Sequence, residues 1–236
     1  MKVAIMQPYF FPYIGYFSLI KNTERFILFD TVQYIRHGWI DRNRVLKQND
    51  SWLYIQIPSI NKGRDILIKD LIINNNEEWR KKILSQLVVY KKTAPYYFRV
   101  ISLIEEIFLY ECTTIVEFNV YSLKKISEYI GIKNNIEILS KMNLNVPQAS
   151  APDEWALNIC KEINGVTEYW NPIGGLTFFD KKKYENEGVK IFFQKVELSI
   201  YNQKREEFEP GLSIIDVMMF NSPQEINEML NQYTLL

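Results

Sequence analysis

A short apolar run from Lys2 to Met6 stands near the start of the chain and gives way to Gln7-Pro8. A short apolar run closed by proline is the pattern of a strand covered on both faces. Residues 14–20 are then apolar all round, as in a buried helix, and Arg25-Phe26-Ile27-Leu28-Phe29 repeats the strand pattern up to Asp30. Strand, helix and strand in such quick succession form a βαβ opening, which predicts a parallel sheet. Residues 51–58 instead alternate, with Trp52, Tyr54 and Gln56 on one face and Leu53, Ile55 and Ile57 on the other. That is a half-exposed strand. Residues 66–73 are its expected antiparallel partner, across a turn at Asn61-Lys62-Gly63-Arg64.

The middle of the chain changes to a helical period. Asn76 can cap a helix running to residue 90, with Glu77 and Glu78 in its first turn and Lys91-Lys92 past its last, the placement a helix dipole favours. Pro95 starts a second helix, in which Phe98, Ile101, Ile104 and Phe108 keep helical spacing. A third spans about 116–130 and stops at Gly131, a residue suited to a left-handed C′ position. Residues 136–139 and 189–196 read as further strands, and 153–163 as an amphipathic helix after a linker-like stretch at 149–152. Residues 212–220 and 223–232 read as closing helices, the second entered through Ser222-Pro223. The fold class is therefore α/β: one domain over 1–236, its mostly parallel sheet opened by βαβ, with a helical insertion over about 75–132.

Composition removes several classes of function. Lys and Arg total 28 and so do Asp and Glu, which leaves no basic surplus for general nucleic-acid or anionic-membrane binding. The two cysteines, Cys112 and Cys160, make neither a disulfide framework nor a zinc cluster, and a single histidine rules out His-rich metal sites. Gln7, Pro8 and Pro12 interrupt the apolar start, so it does not read as a secretory signal, and no segment has the length of a membrane span. The expectation is a soluble, cytoplasmic protein with reduced thiols.

Candidate chemistry concentrates in two stretches that leave the first two strands. The first, Gln7-Pro8-Tyr9-Phe10-Phe11-Pro12-Tyr13-Ile14-Gly15-Tyr16-Phe17, lies between strand and helix, where open α/β sheets bind ligands. Its prolines fix the path, and Gly15 would let backbone or ligand approach beside a helix start that favours anions. An aromatic packing turn would use many of the same residues. The second stretch runs from Asp30 to Arg44 and carries Gln33, Tyr34, Arg36, His37, Trp39, Asp41, Arg42 and Asn43. Arginines offer forked donors to phosphate or carboxylate, and Trp39 and Tyr34 offer faces for a base or sugar. His37 is the natural proton-transfer group and Asp30 a second candidate base; a surface loop and a cap are the plainer readings of the two. Gly174-Gly175 can cradle an anion through backbone N–H groups, or form an ordinary turn. Near the C-terminus come Gln203 and the pair Ser213 and Asp216, in the form of a capping box unless Asp216 turns toward Arg42 or Arg44.

The motifs Gln7-Pro-x-Phe-Phe-Pro-x-x-Gly-Tyr-Phe, Asp30-x-Val-Gln-Tyr…Trp39-x-x-Arg-Asn-Arg, and the late Tyr201-x-Gln…Phe208-x-Pro-x-Leu-Ser-Ile-x-Asp together resemble the WbqC-like protein family, over residues 2 to about 221. The resemblance implies transfer of an amino acid, typically glycine, to the amino group of a nucleotide-linked amino sugar in bacterial O-antigen and related surface-polysaccharide synthesis. For such a reaction the attacking amine must lose a proton, and His37 or Asp30 is the candidate catalytic base. Under that reading Gln7, Tyr9, Phe11, Gly15, Gln33, Tyr34, Trp39, Arg42, Asn43, Arg44, Gly174, Gly175 and Gln203 bind substrate. The donor stays open between free amino acid with ATP, a carrier thioester and a charged tRNA. Mg²⁺ enters only with ATP, with Asp30, Asp41 or Asp216 as its ligands. Two other classes stay open: a nucleotidyl- or adenylate-forming enzyme related to the HIGH-type group, although the turn lacks that group's two histidines, and a non-catalytic sugar-nucleotide binding protein. The sequence leaves the oligomeric state open.

Overall fold

The structure, a computed structural model, describes every residue except Asn49, Arg64 and Asn134, and all side chains but those and that of Asp50. Strands β1 (Lys2–Met6), β2 (Arg25–Leu28), β5 (Ile136–Ile138), β6 (Glu168–Pro172), β7 (Lys190–Val196) and β8 (Tyr233–Leu235) form one sheet in the order β5-β2-β1-β6-β7-β8. All neighbours are parallel except β7 and β8. The chain therefore builds outward from β1 through β2 to β5, then returns to the other side of β1 for β6. That is the strand order of doubly wound sheets, with the topological switch between β1 and β6. The mixed α/β, mostly parallel architecture expected from the sequence is the one observed.

Period-two alternation supplies a core on each face. Ala4, Met6, Phe26, Leu28 and Trp170 point into the larger core, covered by α1 (Ile14–Asn22), α4 (Ile115–Ile130), α7 (Ile214–Phe220) and α8 (Pro223–Met229). Val3, Ile5, Ile27, Tyr169, Ile191 and Phe193 point the other way, against α5 (Glu154–Glu162) and α6 (Lys181–Asn186). Between β2 and β5 lie α2 (Trp79–Leu87), α3 (Tyr97–Phe108) and α4, as well as a separate antiparallel pair, β3 (Arg42–Lys47) and β4 (Asp50–Gln56). Among the described residues no helix is long and apolar enough to cross a membrane.

Three local expectations change. The partner of the alternating strand is Arg42–Lys47 rather than residues 66–73, which form a one-turn 3₁₀ helix at Ile68–Asp70 with isolated bridges on either side. Arg64, placed in the expected turn, lies outside the described residues. The helix expected from Asn76 starts at Trp79, and Asn74 and Asn75 bond instead to Glu77 and the Cys112 carbonyl. Residues 233–235, beyond the last expected helix, pair with β7 as an edge strand. By contrast α4 has a full capping box at Thr114 and Glu117 and ends on Gly131 at φ 77°.

Candidate functional site

The carboxyl ends of β1 and β6 face one edge of the sheet, and two clefts open there on either side of Tyr9. Met6, Tyr9 and Pro172 line both and form the wall between them. The larger, the switch-point cleft, has a volume of about 1000 Å³. Gln7, Gln33, Gln148, Trp155, Gly174 and Phe178 are among its lining residues. None of its described lining residues carries a formal charge; amides and aromatic rings supply its polarity. Phe178 at 53% and Ile35 at 66% exposure present apolar surface at its mouth.

The smaller cleft, of about 350 Å³, lies between the Gln7–Phe17 bend and β3, with Tyr9, Tyr13, Trp39, Asn43, Arg44 and Gly211 around it. Arg44 is its sole charged lining residue among those described. The guanidinium carbon sits 5.6 Å from the Trp39 ring centre and 5.1 Å from that of Trp52, a cation–π arrangement on two rings. One terminal nitrogen donates to the Gly211 carbonyl at 3.2 Å, while the buried Nε has no partner. None of the ion pairs among the described residues involves Arg44. A partly desolvated cation with an unused donor and no counter-charge favours an anionic ligand.

The bend keeps its shape because buried side chains satisfy its carbonyls. Asn43 Nδ2 donates to the carbonyls of Phe10 and Phe11 at 3.0 and 2.9 Å, and Ser213 Oγ to that of Phe11 at 2.7 Å. Asn119 Nδ2 donates to the carbonyls of Pro8 and Ile40 at 2.8 Å each, and the Phe10 N–H to that of Trp39 at 2.8 Å. This network brings the two candidate stretches together around one cleft. It also holds Phe11 at φ 40°, a left-handed conformation unusual for a bulky residue.

Several expected site residues have other work. Phe11 is fully buried in an aromatic cluster with Phe10, Phe108 and Phe118 and lines neither cleft. Gly15 lies under the ring of Tyr13, where a Cβ would come within 2.4 Å of ring carbon; its lack of a side chain accommodates Tyr13 rather than a ligand. Tyr34 is buried, and burial, then the Asp41 carboxylate beside it, push its phenol pKa up. Arg42 stacks 4.1 Å over Tyr54 and donates to the carbonyls of His37 and Gly38. Gln203 lines a third cavity of about 500 Å³ with Leu46, Tyr90 and Arg205.

The acid–base candidates are dispersed as well. Asp30 is 1% exposed, and its two oxygens accept from the Ser140 N–H at 3.0 Å and the Ser140 hydroxyl at 2.5 Å, tying β2 to the turn after β5. His37 is exposed at φ 66° on the loop before β3 and lines neither cleft. Asp41 Oδ2 accepts from Lys62 at 2.6 Å and Gln56 at 2.9 Å. Asp216 does not complete a capping box with Ser213 and faces neither Arg42 nor Arg44: it accepts from Tyr90 at 2.8 Å, Tyr201 at 2.5 Å and Gln203 at 2.8 Å. Burial outweighs these three bonds and lifts its pKa to about 6. Among the described residues no three His, Cys, Asp or Glu side chains gather in a form suited to a metal ion.

Gln148, Trp155 and Trp52 are site residues that sequence patterns alone do not single out. The topology does offer a signal for the first two. The segment after β5 leaves the same sheet edge as the candidate bend, since every parallel strand ends there. For Trp52 the signal is its place on β4, two residues before Tyr54, the partner of Arg44, and so on the same face of the strand.

Comparison with known proteins bears on the whole chain. A protein of Mycobacterium tuberculosis (strain ATCC 25618 / H37Rv), named uncharacterized protein Rv1507c, is 28% identical over 232 residues, covering 97% of each chain. No solved structure matches. The family model of the WbqC-like proteins matches residues 7–228, from the bend that walls both clefts to the last helix, and this chain belongs to the WbqC-like protein family.

Proposed function

We propose that the protein is an acyltransferase that places an aminoacyl group, glycyl in the first instance, on the amino group of a nucleotide-linked amino sugar for bacterial surface polysaccharide. The observation that supports this most is the pair of clefts at the β1–β6 switch, one uncharged and one holding a single unpaired guanidinium. An amino sugar needs ring faces and amide partners for its hydroxyls, and a nucleotide needs a stacking surface and a cation; the two clefts offer these separately.

In the reaction the amine lone pair attacks the acyl carbonyl carbon and a C–N bond forms. The bond from that carbon to the donor's oxygen or sulfur breaks, and its electron pair stays on the leaving group. The amine gives up one proton, to the leaving group or to solvent. Donors aimed at the developing oxyanion would lower the barrier, and the Gly174-Gly175 backbone at the cleft edge is the candidate for them.

Mass spectrometry of nucleotide-linked amino sugars mixed with glycine and ATP, a glycyl thioester or glycyl-tRNA tests the proposal. The expected result is a sugar nucleotide heavier by one glycyl residue with one of the three donors. Pyrophosphate release from ATP without a modified sugar would point to an adenylate-forming enzyme. Binding of the sugar nucleotide without any product would leave a binding protein.

A further inference from the structure

The two clefts differ in a way that assigns the halves of the acceptor, on the reading just given that the acceptor is a nucleotide-linked amino sugar. We infer that one acceptor molecule straddles the Tyr9 wall, its nucleotide half in the Arg44 cleft and its amino-sugar half in the uncharged switch-point cleft.

Charge sets the first constraint. A nucleoside diphosphate carries its negative charge in the middle of the molecule, with an aromatic base on one side and the sugar on the other. Arg44 is the sole charged residue among the described lining of both clefts, so the phosphates have one place to be neutralised. Its guanidinium is held at the cleft by the Trp39 and Trp52 rings and the Gly211 carbonyl, and has no counter-ion among the described residues, so it stands as a fixed cation for a phosphate. Tyr9, Tyr13 and Trp39 in the same cleft offer faces for the base, and about 350 Å³ is on the scale of the nucleotide half alone. Tyr9 leans on the fully buried Tyr16 with ring centres 5.5 Å apart, which makes the wall a firm one.

The larger cleft suits the other half. About 1000 Å³ is more than a hexosamine needs and leaves room beside it for an incoming acyl group. Gly174 lines it, has no positive φ, and a Cβ there would meet nothing within 4 Å. Neither backbone geometry nor packing therefore asks for glycine, which leaves access to the cleft as the remaining reason for it.

The lack of charge has a chemical effect. An ammonium group brought into a cleft with no carboxylate loses hydration without gaining a counter-ion, so its neutral form is favoured. The amine then arrives as a free nucleophile without a dedicated base in contact with it. This accounts for the position of His37 and Asp30 outside both clefts.

Calorimetric titration of uridine, thymidine and guanosine diphosphates, the matching nucleosides and a nucleotide-linked hexosamine tests the division. Arg44→Met is expected to weaken the best nucleoside diphosphate by about tenfold or more and to leave its nucleoside within about twofold of wild type. Gly174→Leu, which fills the other cleft, is expected to leave the nucleoside diphosphate unchanged and to weaken the sugar nucleotide by about tenfold or more. Arg44→Gln, which removes the charge and keeps a polar end near the Gly211 carbonyl, repeats the first comparison should Arg44→Met fold poorly. An Arg44→Met protein that binds nucleoside diphosphate as wild type does overturns the inference. So does a Gly174→Leu protein that loses nucleoside diphosphate and sugar nucleotide alike, or a wild-type protein that binds no nucleotide. These readouts need no turnover: glycyl transfer without the predicted division sinks the inference alone, and division without transfer sinks the proposed reaction alone.

Discussion

Single residues carry opposite burdens at the edge of the sheet. Gly174 and Gly175 are adjacent, yet a Cβ on Gly175 would lie 2.0 Å from Asn171 Nδ2 and 2.9 Å from the Phe179 ring. Gly175→Ala is therefore expected to cost about 1–3 kcal/mol in denaturant unfolding, and Gly174→Ala no more than about 0.5. Equal losses at the two positions would contradict this contrast. Asp216 is a second case. In the folded protein its pKa rises from 3.8 to about 6, so the folded state holds its proton more tightly than the unfolded chain does. That contribution to stability is fully present below the unfolded value, near 4, and is lost as pH rises through about 6. Relative to Asp216→Asn, the wild-type protein is expected to lose roughly 2 kcal/mol between pH 4.5 and 7.5. Parallel pH profiles for the two proteins would show that its burial is not felt. His37→Ala is expected to keep kcat within about twofold, because the imidazole lines neither cleft; a loss of about a thousandfold would restore it as the base.

At the scale of elements, the bend between β1 and α1 has its conformation dictated from outside. Its carbonyls are satisfied by Asn43 on β3, Asn119 on α4 and Ser213 at the start of α7. Asn43→Ala removes the donor for two buried carbonyls and frees Phe11 from its left-handed φ. It is expected to cost about 1–3 kcal/mol and to blunt nucleotide binding by more than Asn22→Ala, which lies at the far end of α1. The regular elements were legible wherever the period was clean: β1, β2, α4 and β7 follow directly from their apolar spacing. Strand β3 was not, because Arg42-Asn43-Arg44 reads as a polar loop. The alternation is real, with Asn43 and Val45 buried, but the buried amide is placed there by its bonds to the bend and not by hydrophobicity. Likewise β8 gains strand form from pairing with β7, a contact that no local window contains.

For the molecule as a whole, the sequence points to the edge of the sheet at which the two clefts open, but not to their separation. A βαβ opening predicts loops at the carboxyl ends of β1 and β2, and the first candidate stretch does wall both clefts. The return of the chain to the far side of β1 is a long-range event, and it brings Pro172 and Gly174 beside Gln7. No pattern of spacing states that order. Nor does it state that the candidate carboxylates turn away, since Asp30, Asp41 and Asp216 each find partners distant in the chain.

The solitary guanidinium has a consequence for how the protein would respond to its medium. Ions of the buffer shield exposed Coulombic attraction over roughly 8–10 Å at ordinary salt, but they do little to ring stacking or amide contacts. Raising potassium chloride from dilute to near-molar is expected to loosen a nucleoside diphosphate severalfold while leaving its uncharged nucleoside nearly untouched, a difference calorimetry reads directly. A chain with matched numbers of basic and acidic residues would then owe its one salt-sensitive grip to a single arginine.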